Sequence, residues 1–132
     1  MKKINKPTYI SLFSSAGVGC YGFKLEGFDC VATNELIPRR LDIQRYNHKC
    51  KYESGYICGD ITDDSIKNIL YSQIDLWKKK ESVSRIDVVI ATPPCQGMSV
   101  ANHKKSTNEI VRNSLVIESI KIIKQVNPRF FV

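Results

Sequence analysis

Hydrophobic and polar positions along this chain fall into blocks whose period switches between that of a strand and that of a helix. Tyr9-Ile10-Ser11-Leu12-Phe13 is a short, nearly continuous apolar run and reads as a buried strand. A turn of small residues and glycines follows, then a short helix near Cys20 to Leu25. Cys30-Val31-Ala32-Thr33 reads as a second strand. A helix then starts around Pro38, because a first helical turn has no use for the N–H that proline lacks. Tyr56-Ile57-Cys58 makes a short third strand. Asp63 or Asp64 stands where a helix cap is needed, ahead of Ile66, Ile69, Leu70, Ile74 and Trp77, which recur at helical spacing. That stripe accounts for Trp77 as core.

Ile86-Asp87-Val88-Val89-Ile90-Ala91 is the clearest strand, nearly all apolar as a parallel strand buried on both faces should be. A polar stretch runs from Thr92 to about Asn108. Val116, Ile120 and Ile123 then mark an amphipathic helix, and Phe130-Phe131-Val132 begins a fifth strand. Strands alternating with helices predict an α/β fold, a doubly wound and mostly parallel sheet, here cut after about the fifth strand. Residues 1–132 read as one domain, with no internal repeat or linker.

Composition narrows the class. At 42% hydrophobic and 25% charged the chain resembles an ordinary globular protein, and no apolar run approaches a membrane span. The basic start has no apolar core of a signal peptide, so no membrane association and a cytoplasmic location are expected. The five cysteines include no Cys-x-x-Cys, which speaks against both a disulfide framework and a zinc site; a cluster of His48, Cys50 and Cys58 lacks ligand spacing, and no metal is expected. The net charge of +7 is clustered: Arg39, Arg40, Arg45, His48, Lys49 and Lys51; Lys78 to Lys80; and His103, Lys104 and Lys105. Such clusters suit a polyanionic partner, although the first two fit solvated helix faces equally well.

Chemistry enters at the first turn. Gly17-Val18-Gly19-Cys20-Tyr21-Gly22 fits G-x-G-x-x-G between a strand and a helix, and Glu35 lies at the end of the second strand. Small residues let backbone approach a ligand, and a carboxylate accepts from ribose hydroxyls. Gly59-Asp60-Ile61-Thr62 adds a second acid after the third strand, placed to accept from an adenine amino group or to cap the next helix. Two acids beside such a loop suit a cofactor without phosphates, S-adenosylmethionine being one, better than a pyrophosphate.

Ala91-Thr92-Pro93-Pro94-Cys95-Gln96-Gly97-Met98-Ser99 is the most specific segment. It follows the fourth strand, at the point where a doubly wound sheet binds ligands, and two prolines constrain the backbone before Cys95. A thiolate there can add to C6 of a cytosine, so that C5 becomes nucleophilic enough to take a methyl group from a sulfonium. The thiolate form needs positive charge or hydrogen-bond donors nearby.

Phe13, the glycine-containing loop, Glu35, Gly59-Asp60-Ile61-Thr62 and Pro94-Cys95-Gln96 resemble, in order and spacing, the first motifs of the cytosine-C5 DNA methyltransferase family. The resemblance covers nearly the whole chain. It implies a Rossmann-like methyltransferase fold, S-adenosylmethionine as cofactor with S-adenosylhomocysteine as product, and duplex DNA as substrate. It also implies Cys95 as covalent nucleophile, Glu35 on the ribose, Asp60 on the adenine and Phe13 packed against that ring. Ser15, Ala16, Gly17, Val18, Leu36, Ile61, Pro94 and Leu115 would complete the cofactor pocket. Gln96, Ser99, Lys104, Lys105 and Arg112 would face nucleic acid, the first four of them in a loop from Gln96 to about Asn108 that closes over the flipped base. The chain departs from the family twice. The family's Phe-x-Gly-x-Gly-Gly is here Phe13-Ser14-Ser15-Ala16-Gly17-Val18, with only Gly17 keeping its glycine. The family's Glu-Asn-Val, expected after Phe130-Phe131-Val132, is not in this sequence, nor is the target recognition region. A complementary polypeptide carrying those parts is therefore the expected partner. An inactive cofactor-binding or regulatory module, a tRNA-methylating relative and a dinucleotide-dependent oxidoreductase half are the alternatives.

Overall fold

Along the strand Thr8–Leu12 (β1), successive side chains enter opposite faces of a sheet, and this period of two divides the core into two layers. Ile10 and Leu12 point to one layer, with Val31, Val89, Leu70, Ile74 and Trp77. Tyr9 points to the other, with Cys30, Val88 and Ile90. The computed structural model describes residues 4–94 and 107–132, with side chains described in 4–94 and from 114 onward.

The other strands are β2 (Asp29–Glu35), β3 (Tyr56–Cys58), β4 (Val88–Ala91) and β5 (Phe130–Phe131), in the order β3-β2-β1-β4-β5, and every pairing is parallel. Between them run α1 (Tyr21–Leu25), entered through a 3-10 turn at Val18–Cys20, then α2 (Pro38–Tyr46), α3 (Asp64–Glu81) and α4 (Thr107–Val126). The chain winds outward from β1 to β3, crosses back through α3 to β4, and continues to β5. Direction therefore reverses between β1 and β4, and loops leaving the carboxyl ends of both diverge to open a crevice. This is the predicted doubly wound α/β sheet. No helix among the described residues is long and apolar enough to cross a membrane.

Several elements differ in detail from the sequence expectation. β1 stops at Leu12 because Phe13 turns into the left-handed region, and β2 runs two residues beyond Thr33 to Glu35. Pro38 does open α2, behind Ile37. Asp63 occupies the cap position of α3, but neither it nor Asp64 makes a side-chain capping bond. The apolar stripes are also narrower than their periodicity suggests. Ile69 and Ile120 point to solvent, whereas Ile122 and Val126 carry the contact of α4 with the sheet. A helix side chain is buried only where a neighbouring element covers it. Among the described residues β5 pairs only with β4, and Phe130 and Phe131 lie exposed at the sheet edge.

The two helices of the first layer are joined by an ion pair: Lys67 Nζ lies 2.5 Å from Glu118 Oε2, with the side chains only 18% and 15% exposed. The Lys67 ammonium, and after it that of Lys121, holds the Glu118 carboxyl below its ordinary value. A depressed carboxylate stabilises the fold above its unfolded pKa of about 4.3 and loses that contribution as pH falls through the folded value. Glu118→Gln should therefore lower stability by about 1 kcal/mol near neutral pH. In urea titrations at pH 7, 5 and 3, the difference from the parent chain should shrink toward the most acidic condition. A deficit independent of pH would assign the loss to packing instead.

Candidate active site

The turn that follows β1 is built against the usual preferences of its residues. Phe13, Ser15 and Gly17 all have positive φ, at 54°, 52° and 87°. Left-handed backbone crowds Cβ against the following carbonyl and costs a non-glycine residue about 1 kcal/mol. At Gly17 a Cβ would in addition come within 3.1 Å of Gln44 Cγ, so glycine is needed there on both grounds. Ser15 takes the same backbone region without being a glycine.

What holds this turn is a buried polar network supplied by β2 and α2. Ser14 donates from N and from Oγ to the Asn34 carbonyl, both at 3.1 Å. Gln44, 1% exposed, donates from Nε2 to Ser14 Oγ at 2.8 Å and to the Ser15 carbonyl at 2.5 Å. Its Oε1 accepts from the Thr33 hydroxyl at 2.8 Å, and the same hydroxyl accepts from Lys49 Nζ at 3.1 Å. Ser15 N–H in turn donates to Glu35 Oε2 at 2.7 Å.

Glu35 thus stands at the end of β2 as a buried carboxylate gathered by backbone. Its Oε1 accepts from Ile37 N–H at 3.1 Å and lies 3.4 Å from an Arg40 guanidinium nitrogen. Across the crevice, Asp60 is exposed. Its Oδ1 accepts from Thr62 N–H at 2.9 Å and from the Thr62 hydroxyl at 2.7 Å, while Oδ2 has no hydrogen-bond partner among the described residues. Asn34 sets the spacing between the two acids by donating from Nδ2 to the Ile57 and Gly59 carbonyls, both at 3.1 Å. Gly59, at φ 147°, leaves β3 where any Cβ would strike Ile66.

These groups line a crevice of about 410 Å³ at the carboxyl ends of the strands. Phe13, Ile61 and Leu115 give it apolar walls, Glu35 and Asp60 are its carboxylates, and Ser15, Leu36, Thr92 and Pro94 close it. Thr92 is tied to the turn by its hydroxyl, which donates to the Phe13 carbonyl at 3.1 Å. The volume and the mix of apolar wall with a few polar groups are those of a small-molecule site. Two acids facing the same space favour a ligand rich in hydroxyl, amino or cationic groups over one that carries phosphates. Ala16, Gly17 and Val18 line the adjoining cavity of about 350 Å³ instead, beside Cys20, Gln44 and Lys49.

Cys95, Gln96, Ser99, Lys104 and Lys105 lie outside the described residues, as does the side chain of Arg112. Cys95 follows Pro94 directly in the sequence, and Pro94 is part of the crevice wall. Asn34, Gln44, Thr33 and Lys49 were not singled out as site residues by sequence. For Gln44 a signal existed: it falls three residues after Leu41, on the buried face of α2, where an amide needs a partner.

Much of the first basic cluster turns out to be neutralised internally. Arg40 pairs with Glu35, Arg45 with Asp42 and Glu53, and Lys51 with Glu81, while Lys49 points inward to Cys20 and Thr33. Lys78, Lys79 and Lys80 close the last turn of α3, a helix that runs back toward the starting ends of the strands, away from the crevice. Among the described residues no group of three or more His, Cys, Asp and Glu is arranged to hold a metal ion.

A doubly wound parallel sheet with a strained turn after its first strand, and acids at the ends of its second and third facing a small-molecule crevice, defines a Rossmann-like α/β domain. The particular family follows from comparison: residues 8–132 match the model of the C-5 cytosine-specific DNA methylases, and the chain belongs to that family. It is 36% identical over 129 residues to the type II methyltransferase M1.HgaI of Avibacterium volantium, covering 93% of this chain and 32% of that protein. Type II methyltransferase M1.HphI of Haemophilus parahaemolyticus is 34% identical over 126 residues, covering 95% and 31%. M.AquIA of Picosynechococcus is 32% identical, covering 93% of this chain and 46% of that protein. A solved chain described as a DNA modification methyltransferase encoded within a prophage (E. coli) shares the fold, with a TM-score of 0.57 and 22% identity over 96% of this chain and 31% of its own. The chain thus spans about a third of the length of the first two relatives.

Two substitutions probe the turn. Ser15→Gly removes the Cβ from a left-handed residue while keeping the N–H that Glu35 accepts, and should stabilise the chain by about 0.5–1 kcal/mol. That gain reads as a rise of a few degrees in Tm, and no rise would mean that the backbone there is not strained. Gln44→Leu strips the amide from beneath the turn and leaves buried hydroxyl and carbonyl groups short of a partner. It should cost about 1–3 kcal/mol in urea unfolding.

Proposed function

We propose that residues 1–132 form the N-terminal part of the cofactor-binding and catalytic domain of a cytosine-C5 DNA methyltransferase, acting on duplex DNA. The observation that carries this reading is the crevice in which Glu35, Asp60 and Pro94 meet, with Cys95 the next residue. Family membership supports it, as do relatives named type II methyltransferases.

S-adenosylmethionine, when bound, supplies an electrophilic methyl group. In this reading Glu35 accepts from the ribose hydroxyls with the lone pairs that Ser15 and Ile37 leave free, and the unpartnered Oδ2 of Asp60 accepts from the adenine amino group. Phe13, Ile61 and Leu115 cover the apolar faces of the ligand. Leu36 and Ser15 complete the enclosure, whereas Ala16, Gly17 and Val18 face the other cavity beside the turn. The target cytosine leaves the stack, because C6 of a paired base is out of reach. The Cys95 thiolate adds to C6, electron density moves onto C5, and C5 takes the methyl. Loss of the C5 proton and departure of sulfur then restore the ring. Gln96, Ser99, Lys104, Lys105 and Arg112 are assigned to phosphates and to the flipped base. Alignment of sulfur, base and methyl supplies much of the acceleration.

The remaining catalytic groups and the region that reads bases come from sequence beyond these residues, in the same protein or in a complementary polypeptide. The exposed Phe130 and Phe131 on β5 offer that part an apolar sheet edge to continue.

The test coexpresses the chain with a polypeptide carrying the family's remaining motifs and follows labelled methyl into duplex DNA. Transfer to cytosine C5 is expected, and Cys95→Ser should reduce it by about a thousandfold or more. DNA with 5-fluorocytosine at the target should trap a denaturant-resistant protein adduct, since fluorine cannot leave C5 as a proton does. Asp60→Ala should weaken cofactor binding about tenfold, the loss of one hydrogen bond. Undiminished transfer by Cys95→Ser, or methylation of an exocyclic nitrogen, would refute the mechanism.

A further inference from the structure

A group of thiols lies at the opposite end of β2 from Glu35. Cys30 is the second residue of that strand, and Cys50, between α2 and β3, forms an isolated parallel bridge beside it. Their sulfurs are 3.6 Å apart. Cys30 is buried among Tyr9, Val88 and Ile90, while Cys50 is half-buried. Cys50 is fixed in place by its N–H, which donates to the Tyr56 hydroxyl at 2.9 Å. The other thiols near this layer are differently engaged. Cys20 Sγ accepts from Lys49 Nζ at 3.0 Å and lies 3.3 Å from Ser11 Oγ, and Cys58 sits exposed at the far end of β3.

We propose that Cys30 and Cys50 form a dithiol redox site that a peroxide converts to an intramolecular disulfide. The backbone already has the required geometry. Neighbouring strands stand about 4.7–4.9 Å apart, inside the range of roughly 4.4–6.8 Å that a disulfide spans between Cα atoms. Sulfurs in van der Waals contact then need only side-chain rotation to bond. The two thiols are unequal: the hydrogen bond to Cys30, and after it burial, push the Cys50 thiol well up, so the negative charge rests on Cys30. Burial pushes the Cys30 thiol up, but the hydrogen bond from Cys50 and the charge of Lys49 outweigh it and hold Cys30 below its ordinary value.

Peroxide reaches the pair at the half-buried Cys50. The Cys50 sulfur attacks one peroxide oxygen as its proton passes along the existing hydrogen bond to the Cys30 thiolate, the O–O bond breaks, and the departing hydroxide takes a proton to become water. The Cys30 sulfur then attacks the Cys50 sulfenic acid, the S–O bond breaks, and the hydroxyl leaves as water with the second proton. Two thiols and one peroxide give one disulfide and two waters. The ring so closed contains the rest of β2 with Glu35 and all of α2 with Gln44. Cross-linking it restricts the unfolded chain, so the oxidised protein should melt several degrees above the reduced one.

The chain, and a Cys95→Ser version that removes a competing thiol, would be treated with equimolar hydrogen peroxide, alkylated, digested without reductant and mapped by mass spectrometry. The expected product is a Cys30–Cys50 peptide short of two hydrogens, with the remaining cysteines alkylated, reversed by dithiothreitol. The accompanying rise in Tm should be absent in Cys50→Ala. Linkage mainly through Cys20 or Cys58 would overturn the proposal, as would over-oxidation of Cys50 with Cys30 still alkylated. The map of the unsubstituted chain decides the matter even if a variant folds poorly.

Discussion

A buried amide beneath a left-handed turn is the contact on which the crevice depends. Gln44 reaches from α2 to the Ser15 carbonyl and the Ser14 hydroxyl, and Ser15 N–H is thereby aimed at Glu35. Each bond is modest by itself, about 1 kcal/mol net, but an unpaired buried group would cost more, so the set holds together or fails together. The turn tolerates a serine at positive φ because three elements determine its path: β2 through Asn34, α2 through Gln44 and β4 through Thr92. Backbone strain of this kind persists only where the surroundings over-determine it.

The same economy governs charge. Four of the six basic residues of the segment 39–51 are matched by carboxylates or face inward, so much of this region's positive charge is offset within the chain. Glu35 is the instructive case. It is buried, yet satisfied by two backbone N–H groups and approached by Arg40, which lets a carboxylate remain at the wall of a partly apolar crevice. Asp60 stays exposed and half-satisfied. One acid organises the turn as well as the crevice, and the other leaves an oxygen directed to whatever enters.

Seen along β2, the strand separates two kinds of chemistry. Its carboxyl end carries Asn34 and Glu35 at the crevice, and its amino end carries Cys30 against Cys50. Parallel strands place their carboxyl ends together, which is why acids distant in sequence converge on one crevice. The thiol pair owes its closeness to pairing at the other end of the same strand.

Fold class and element order were legible in the sequence because burial on both faces makes parallel strands continuous apolar runs, and Val88-Val89-Ile90 could hardly be read otherwise. That Glu35, Asp60 and Phe13 share one crevice was legible because each stands at or just past the end of a strand, where such a sheet presents side chains. Which faces of α3 and α4 are buried was not. Ile69 and Ile120 fit the helical period but meet no neighbour, since periodicity records a stripe and only packing selects its width. Nor were Gln44 beneath the turn and Cys50 beside Cys30 legible, because both relations join residues twenty or more apart through the sheet. Local sequence set the elements and their order by short-range preference; tertiary structure decided which polar groups share a buried space, because only the assembled sheet brings them within hydrogen-bond reach.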